Sequence, residues 1–344
     1  MACSSNENRD IVVHTLEENI LKNTNFLQID TIGIFEDLIY AKEYLVYRDS
    51  VLIVINNRHE DVCFVEFYNL NSKKLISRLY ELGDGPKEML STKVCLNKNI
   101  LYVNDYVKSQ VAFVNVDSLL CDSTYFVYPI RHQVMGSPTA VPYRNVFLLE
   151  NPYCFKNRKL GIEQKASRFI VTDGKVPYEE KNKYEYYTRN VAVNGSIITN
   201  SIKNRIFYTN AYNSSIEVYD ENLNLLKIIT GPVFLDADYS IMKGETSREV
   251  AFKRKIPYAY FDYCVDEDYV YLTYMGDFLT KGKKLKDYSN WIFKFDWNGN
   301  FIRSYFVGSY ILSISKGNAN NTLYVTVLNE DEIPLLLKLS EYEN

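Results

Sequence analysis

Short apolar runs, each ending in a polar residue and a turn, recur along the whole chain. They occupy residues 52–56, 101–104, 147–150, 206–210, 270–273 and 323–326, at intervals of roughly 45–65 residues. Runs of this length, rich in Val, Ile, Leu, Phe and Tyr and bounded by Asn, Asp and Gly, read as buried or half-buried strands. Most are followed by a third strand ending in Asp or Asn (64–69, 111–117, 216–220, 291–296) and several by an outer strand (74–80, 225–229, 301–306). Six copies of this figure fill the chain. The pattern predicts an all-β fold, a six-bladed β-propeller of four-stranded antiparallel blades.

The last copy has only three strands, 311–314, 323–328 and 335–339. An unpaired outer edge is a site of aggregation, so a strand from elsewhere should cover it. Residues 25–30, Asn-Phe-Leu-Gln-Ile-Asp, have the right character. The ring is therefore expected to close by joining the two ends of the chain. This divides the chain into a flexible tether over residues 1–23 and a propeller over 24–344.

Composition sharpens this picture in three ways. Glycine numbers only 14, few for so many turns, so Asn and Asp must close many of them. Tyrosine and phenylalanine are abundant, at 30 and 18, which suits pleated, half-buried surfaces and faces that contact sugars or peptides. The net charge of −4 argues against nucleic acid as a partner. No apolar run is long enough for a membrane-spanning helix. The six cysteines show no CxxC or metal-finger spacing, and Cys63, Cys95 and Cys264 fall inside apolar strands, where a thiol acts as a small hydrophobe.

The start, Met1-Ala2-Cys3-Ser4-Ser5-Asn6, resembles a bacterial lipoprotein cut at its lipid-bearing cysteine, with Cys3 as the anchor. A second resemblance rests on Gly83-Asp84-Gly85-Pro86-Lys87-Glu88. It is similar to the Gly-x-Gly-Pro-Gly-Glu turn of the six-bladed TolB-like and NHL-like propeller lipoproteins of Bacteroidota. Lys87 stands where that pattern has its third glycine, and the echoes at Gly136-Ser137-Pro138 and Gly231-Pro232 are degenerate. The resemblance implies the fold and an envelope location, as an outer-membrane lipoprotein on the periplasmic or cell-surface side. It carries no biochemical role.

In a propeller, connections from the second to the third strand, and from each outer strand to the next blade, open on one face. The tight turns at 97–99, 202–204, 266–268 and 296–300 fall mostly on the other. Long insertions at 151–165, 232–257 and 276–290 fall on the first, and loops of this kind carry function. These insertions are basic: Lys156 and Arg158, then Lys253, Arg254 and Lys255, then Lys281, Lys283, Lys284 and Lys286. Tyr258, Tyr260 and Tyr274 lie among them. Three basic runs on one face suggest an anionic glycan or acidic peptide as ligand, although a charge run also serves simply as a solvated face.

Catalytic signatures are thin. The three histidines lack ligand companions, and GxSxG, HExxH and phosphate-loop motifs are absent. Asn57, Asp105 and Asn210 end second strands; they either hold turns together or ring the axial funnel. Two readings follow. The first is a monomeric, non-catalytic binding or scaffold propeller without cofactor, touching the membrane only through its lipid and recognising its glycan or peptide on the loop-rich face. The alternative is a lactonase- or esterase-like hydrolase with Ca²⁺ held by such residues at the axis.

Overall fold

The computed structural model describes residues 11–22, 27–34, 41–56, 63–105, 107–108, 110–122, 124–131, 141–144, 146–150, 169–172, 195–243, 248–252, 255–319 and 321–341. Six antiparallel sheets follow one another along these residues as six blades. Blade 1 runs Ala41–Tyr47, Val51–Asn56, Val65–Asn69 and Leu75–Leu79, each strand paired to the next. Blade 2 starts with Thr92–Asn97, Ile100–Asp105 and Gln110–Asn115 and ends with a two-residue outer strand, Ile130–Arg131. Blade 3 shows three strands among the described residues, Val141–Tyr143, Val146–Glu150 and Phe169–Thr172. Blade 4 (Gly195–Asn200, Arg205–Asn210, Asn213–Asp220, Leu225–Thr230) and blade 5 (Ile256–Val265, Tyr269–Leu279, Trp291–Asp296, Phe301–Phe306) are complete.

Blade 6 closes the ring. Its own strands are Ile311–Lys316, Thr322–Leu328 and Pro334–Glu341, and the fourth is Leu27–Ile34 from the other end of the chain. Leu27 pairs with Glu341, Ile29 with Leu339 and Thr31 with Leu337, so the expected closure is present and runs four residues further than the sequence suggested.

The blades are held together by apolar clusters at their seams. Ile53, Phe67, Leu101 and Val114 join blades 1 and 2; Phe207, Val218, Leu272 and Phe293 join blades 4 and 5; Tyr271, Ile292, Val325 and Leu339 join blades 5 and 6. All are buried. Side chain to backbone hydrogen bonds stitch the innermost strands as well. Ser313 Oγ accepts from Tyr44 N at 3.2 Å and Ser315 Oγ accepts from Val46 N at 2.9 Å, linking blade 6 to blade 1.

The tether expectation needs correction over residues 12–22. Val12–Thr15 adds a fifth, parallel strand to the outer edge of blade 4, with Val12 opposite Lys227 and Thr15 opposite Thr230. Leu16 then enters the core between blades 4 and 5, only 3% exposed, a burial that stabilises the docked segment by about 2 kcal/mol. Ser304 Oγ donates to Ile20 O at 2.6 Å on blade 5. Gly231 lets the strap pass: its φ is +100°, and a Cβ there would lie 2.8 Å from the Leu16 carbonyl oxygen. The edge it covers is more than 200 residues away in sequence, so no local pattern signals the pairing.

The Gly83–Glu88 turn is a structural knot. Glu88 folds back so that its carboxylate accepts Gly85 N at 2.6 Å, while Lys108 Nζ donates to the carbonyls of Gly83, Gly85 and Glu88 at 3.0–3.3 Å. Lys87, the departure from the family pattern, places its ammonium over the rings of Phe126 and Tyr128.

Candidate functional site

The innermost strands of blades 1, 2, 4, 5 and 6 line an axial cavity of about 870 Å³. Each inner strand begins on the loop-rich face and ends at the plain one, so its first residues form the mouth. There Tyr258, Phe261, Tyr310 and Leu312 line the cavity. Glu43, Lys93, Cys95, Asp262 and Tyr263 follow at mid-depth, and Arg48, Lys98, Lys316 and Asn318 lie toward the base.

The mouth is one end of a continuous track of rings. Tyr239 contacts Phe252 (centroids 6.3 Å apart), Phe252 contacts Tyr212 (5.0 Å), Tyr212 contacts Tyr258 (6.3 Å), Tyr258 stacks on Phe261 (5.2 Å) and Phe261 stacks on Tyr310 (5.7 Å). Two sources supply these rings. Tyr239 and Phe252 sit on a hairpin, Tyr239–Lys243 and Arg248–Phe252, inserted between blades 4 and 5. Tyr212, Tyr258, Phe261 and Tyr310 come from the propeller itself. Tyr288, from the insertion in blade 5, joins the same cluster with Met275, and its hydroxyl accepts Thr280 N at 2.7 Å. Half-buried rings that keep an edge or face on a cavity are rigid contact surfaces with little rotamer freedom to lose.

Below the rings, the innermost strand of blade 5 is irregular. Its register against the next strand shifts between Tyr258 and Tyr260 and again between Tyr260 and Tyr263. Thr273 Oγ1 fills the gap, accepting Asp262 N at 2.8 Å and donating to Asp262 O at 3.0 Å. Bulges re-aim side chains, and this one presents Asp262 to the cavity, where one carboxylate oxygen accepts Ile314 N from blade 6 at 2.8 Å. Burial pushes the Asp262 carboxyl up to about 7, with Glu43 adding to the rise and the amides of Ile314 and Tyr263 and the Lys93 charge opposing it. Across the axis, Tyr263 Oη of blade 5 lies 4.0 Å from Cys95 Sγ of blade 2. Blades 2 and 5 stand opposite each other in a six-membered ring, so this contact narrows the channel at mid-depth.

The residues singled out from sequence are scattered by this geometry. Lys156, Arg158, Lys253, Arg254, Asn57 and Cys3 lie outside the described residues. Lys255 is exposed beside the mouth strand. Tyr258 lines the mouth. Tyr260 and Tyr274 are 1% and 0% exposed and cannot stack on a ligand; they form the core between blades 4 and 5, Tyr260 donating to Gly231 O and the Tyr274 hydroxyl accepting Val233 N. The register shift between Tyr258 and Tyr260 turns Tyr260 away from the cavity that Tyr258 lines.

Asp105 and Asn210 hold turns. Asp105, 0% exposed, accepts Leu90 N, Val107 N and Lys108 N, and Asn210 accepts Tyr212 N. Their oxygens are committed to backbone amides, so neither fits the role of an axial Ca²⁺ ligand. Three of the four lysines of the third insertion are paired: Lys283 reaches Asp277, Lys284 reaches Glu332 and Lys286 reaches Glu330, at 3.3–3.7 Å. Sequence reasoning missed Phe261, Asp262, Tyr212 and Tyr310. An aromatic-rich inner strand, Tyr258-Ala-Tyr-Phe-Asp-Tyr263, was the available signal.

Among solved structures, the chain resembles a protein from Bacteroides fragilis described as exported, at 11% identity and a TM-score of 0.51, covering 97% of this chain and 100% of that one. It also resembles a member of the DUF4221 family from Bacteroides vulgatus, at 11% identity and a TM-score of 0.56, covering 92% and 98%. At such identity the likeness is one of fold. No curated protein matches the chain. The family model of the TolB-like six-blade propellers matches residues 43–316, which spans the inner strands of all six blades, and the chain belongs to that family.

Proposed function

We propose that this protein is a non-catalytic binding propeller of the bacterial envelope that captures a glycan or peptide at the loop-rich mouth of its axial channel. The observation that carries this reading is the six-ring track from Tyr239 to Tyr310, which ends on the cavity wall. Stacked aromatic surface beside a few polar groups in a concave site is the usual make-up of a ligand pocket. Affinity rests on the rings. Of the cations of the third insertion, Lys283, Lys284 and Lys286 contribute little, since each is already paired at the surface and such pairs are worth about 0–1 kcal/mol.

The envelope location rests on the Cys3-Ser4-Ser5-Asn6 start and agrees with the exported relative of the same fold. With lipid on Cys3, eight residues of chain separate the anchor from the strand that docks at Val12. Fully extended, such a segment reaches no more than about 29 Å, so blade 4 would stay close to the membrane. Moving Cys3→Ala protein from the membrane to the soluble fraction is the expected outcome of cell fractionation; retention in the pellet overturns the anchor.

The binding test is a glycan and peptide array read with wild type, a Tyr212→Ala/Tyr258→Ala variant and Lys255→Glu. Loss of ligand in the ring variant with an unchanged circular dichroism spectrum is expected. Undiminished binding by the ring variant, or a ligand mapped to the turn at residues 266–268 on the plain face, overturns the reading.

A further inference from the structure

We propose that the cavity beneath the aromatic mouth receives an ammonium group of the ligand, with Asp262 as its counter-ion and the rings of Tyr258, Phe261 and Tyr310 as its walls. This deepens the reading of the mouth as the ligand site and rests on it. Three observations meet here. The bulged strand turns a carboxylate into the cavity and the blade 6 amide of Ile314 fixes one of its oxygens. No lysine or arginine among the described residues forms an ion pair with Asp262. The two stacked ring pairs, Tyr258 on Phe261 and Phe261 on Tyr310, line the approach to it.

An anionic ligand is disfavoured at this depth. Facing Asp262 are Glu43 from blade 1, Lys93 and Cys95 from blade 2, Tyr258, Tyr263 and Cys264 from its own strand, and Tyr310 and Lys316 from blade 6. Glu43 is the strongest charge acting on Asp262 and raises its carboxyl, and Lys93 opposes it more weakly. Lys316 spends its ammonium on the carbonyls of Gly317 and Ala319 near the base. A bound ammonium would supply the missing positive charge, donate to the Asp262 carboxylate and gain further from the ring faces. A carboxyl poised near neutrality by burial is the kind of group that a cation restores to its ionised form.

An ammonium can come from an amino sugar or from a lysine side chain, and calorimetric titration with matched probes separates the two. One pair is a glucosamine tetrasaccharide and its N-acetylated form; the other is a lysine-containing tetrapeptide and its Nε-acetylated form. In at least one pair, the free amine should bind wild type about tenfold or more tighter than the acetylated partner. Asp262→Asn, which keeps an acceptor for Ile314 N, should abolish that preference while the melting curve stays cooperative. The pair that shows the preference identifies the source.

Equal binding of amine and acetylated probes, no binding by either amine, or a preference retained in Asp262→Asn overturns the inference. If probes bind without amine preference and a Tyr258→Ala/Phe261→Ala variant loses them, the mouth stands and the ammonium fails. If that ring variant keeps all binding, the mouth itself is not the site.

Discussion

The two ends of the axial channel are built from different chemistry. At the base, short turns are closed by Asn and Asp side chains that accept two backbone amides each. Asn200 takes Ile202 N and Lys203 N, Asp266 takes Asp268 N and Tyr269 N, and Asp296 takes Asn298 N and Asn300 N. Charge is buried there in a pair near the closing seam: Lys294, 5% exposed, bonds Glu341 at 2.8 Å, with Arg303 and Tyr305 on the same carboxylate. At the mouth, the connections are long, Lys283, Lys284 and Lys286 pair with acids at the surface, and half-buried rings meet the cavity. Charge at the base therefore ties blade 5 to blade 6, while the mouth offers apolar faces with one poised carboxyl beneath them.

The sharpest way to break this contrast is at the base. Glu341→Ala leaves Lys294 buried without its partner and should cost about 3–5 kcal/mol, read as a large fall in the urea midpoint. Burial by itself would raise the Glu341 carboxyl, but its hydrogen bonds to Lys294 and Tyr305 and the nearby charges of Lys294 and Arg303 outweigh that and hold it below the usual range. Its contribution is thus present above the ordinary Glu value and is lost as pH falls through the depressed one. Wild type should lose stability on acidification over that range, and Glu341→Gln should lose less. A midpoint shift under about 1 kcal/mol in the alanine variant would make the base as dispensable as a surface.

Asp262→Asn tests the mouth in the opposite direction. The Asp262 carboxyl is raised to about 7, so its burial favours folding below the ordinary Asp value and is lost as pH rises through 7. Asparagine stands in for the protonated form. The variant should match wild type near pH 3 and exceed it by about 1–2 kcal/mol at pH 8, after allowing for water in the channel. Parallel stability curves would show that this carboxyl is solvated like any surface acid.

Smaller effects refine the contrast. Asp266→Ala strands two turn amides and loosens Tyr271, whose hydroxyl donates to the same carboxylate, and should cost about 1 kcal/mol. Lys283→Ala and Lys286→Ala should each change stability by less than about 1 kcal/mol and leave ligand affinity and its salt dependence unchanged. A steep salt dependence removed by these variants would return recognition to the charged loops.

The sequence by itself determined the blade repeat, the closure of the ring by a strand around residues 25–30 and the use of Asn and Asp as turn closers. Each depends on short-range information: strand periodicity, a missing edge partner, and side chains that cap their own turns two to four residues on. Even the Asp296-Trp-Asn-Gly-Asn300 segment reads correctly as a hairpin, with Gly299 N bonded to Asp296 O. Only the tertiary structure decided what the residues on those strands face. Two register shifts turn Tyr260 inward and Asp262 toward the axis, although they lie two residues apart and simple alternation gives them one face. Lys284 and Lys286 look free in sequence because Glu332 and Glu330 reach them from the next blade. Residues 12–21 look like a tether because their partners, Lys227 to Thr230 and Ser304, lie more than 200 residues on. Local pattern fixes which segments are strands; contacts between blades fix which side chains remain available to a ligand.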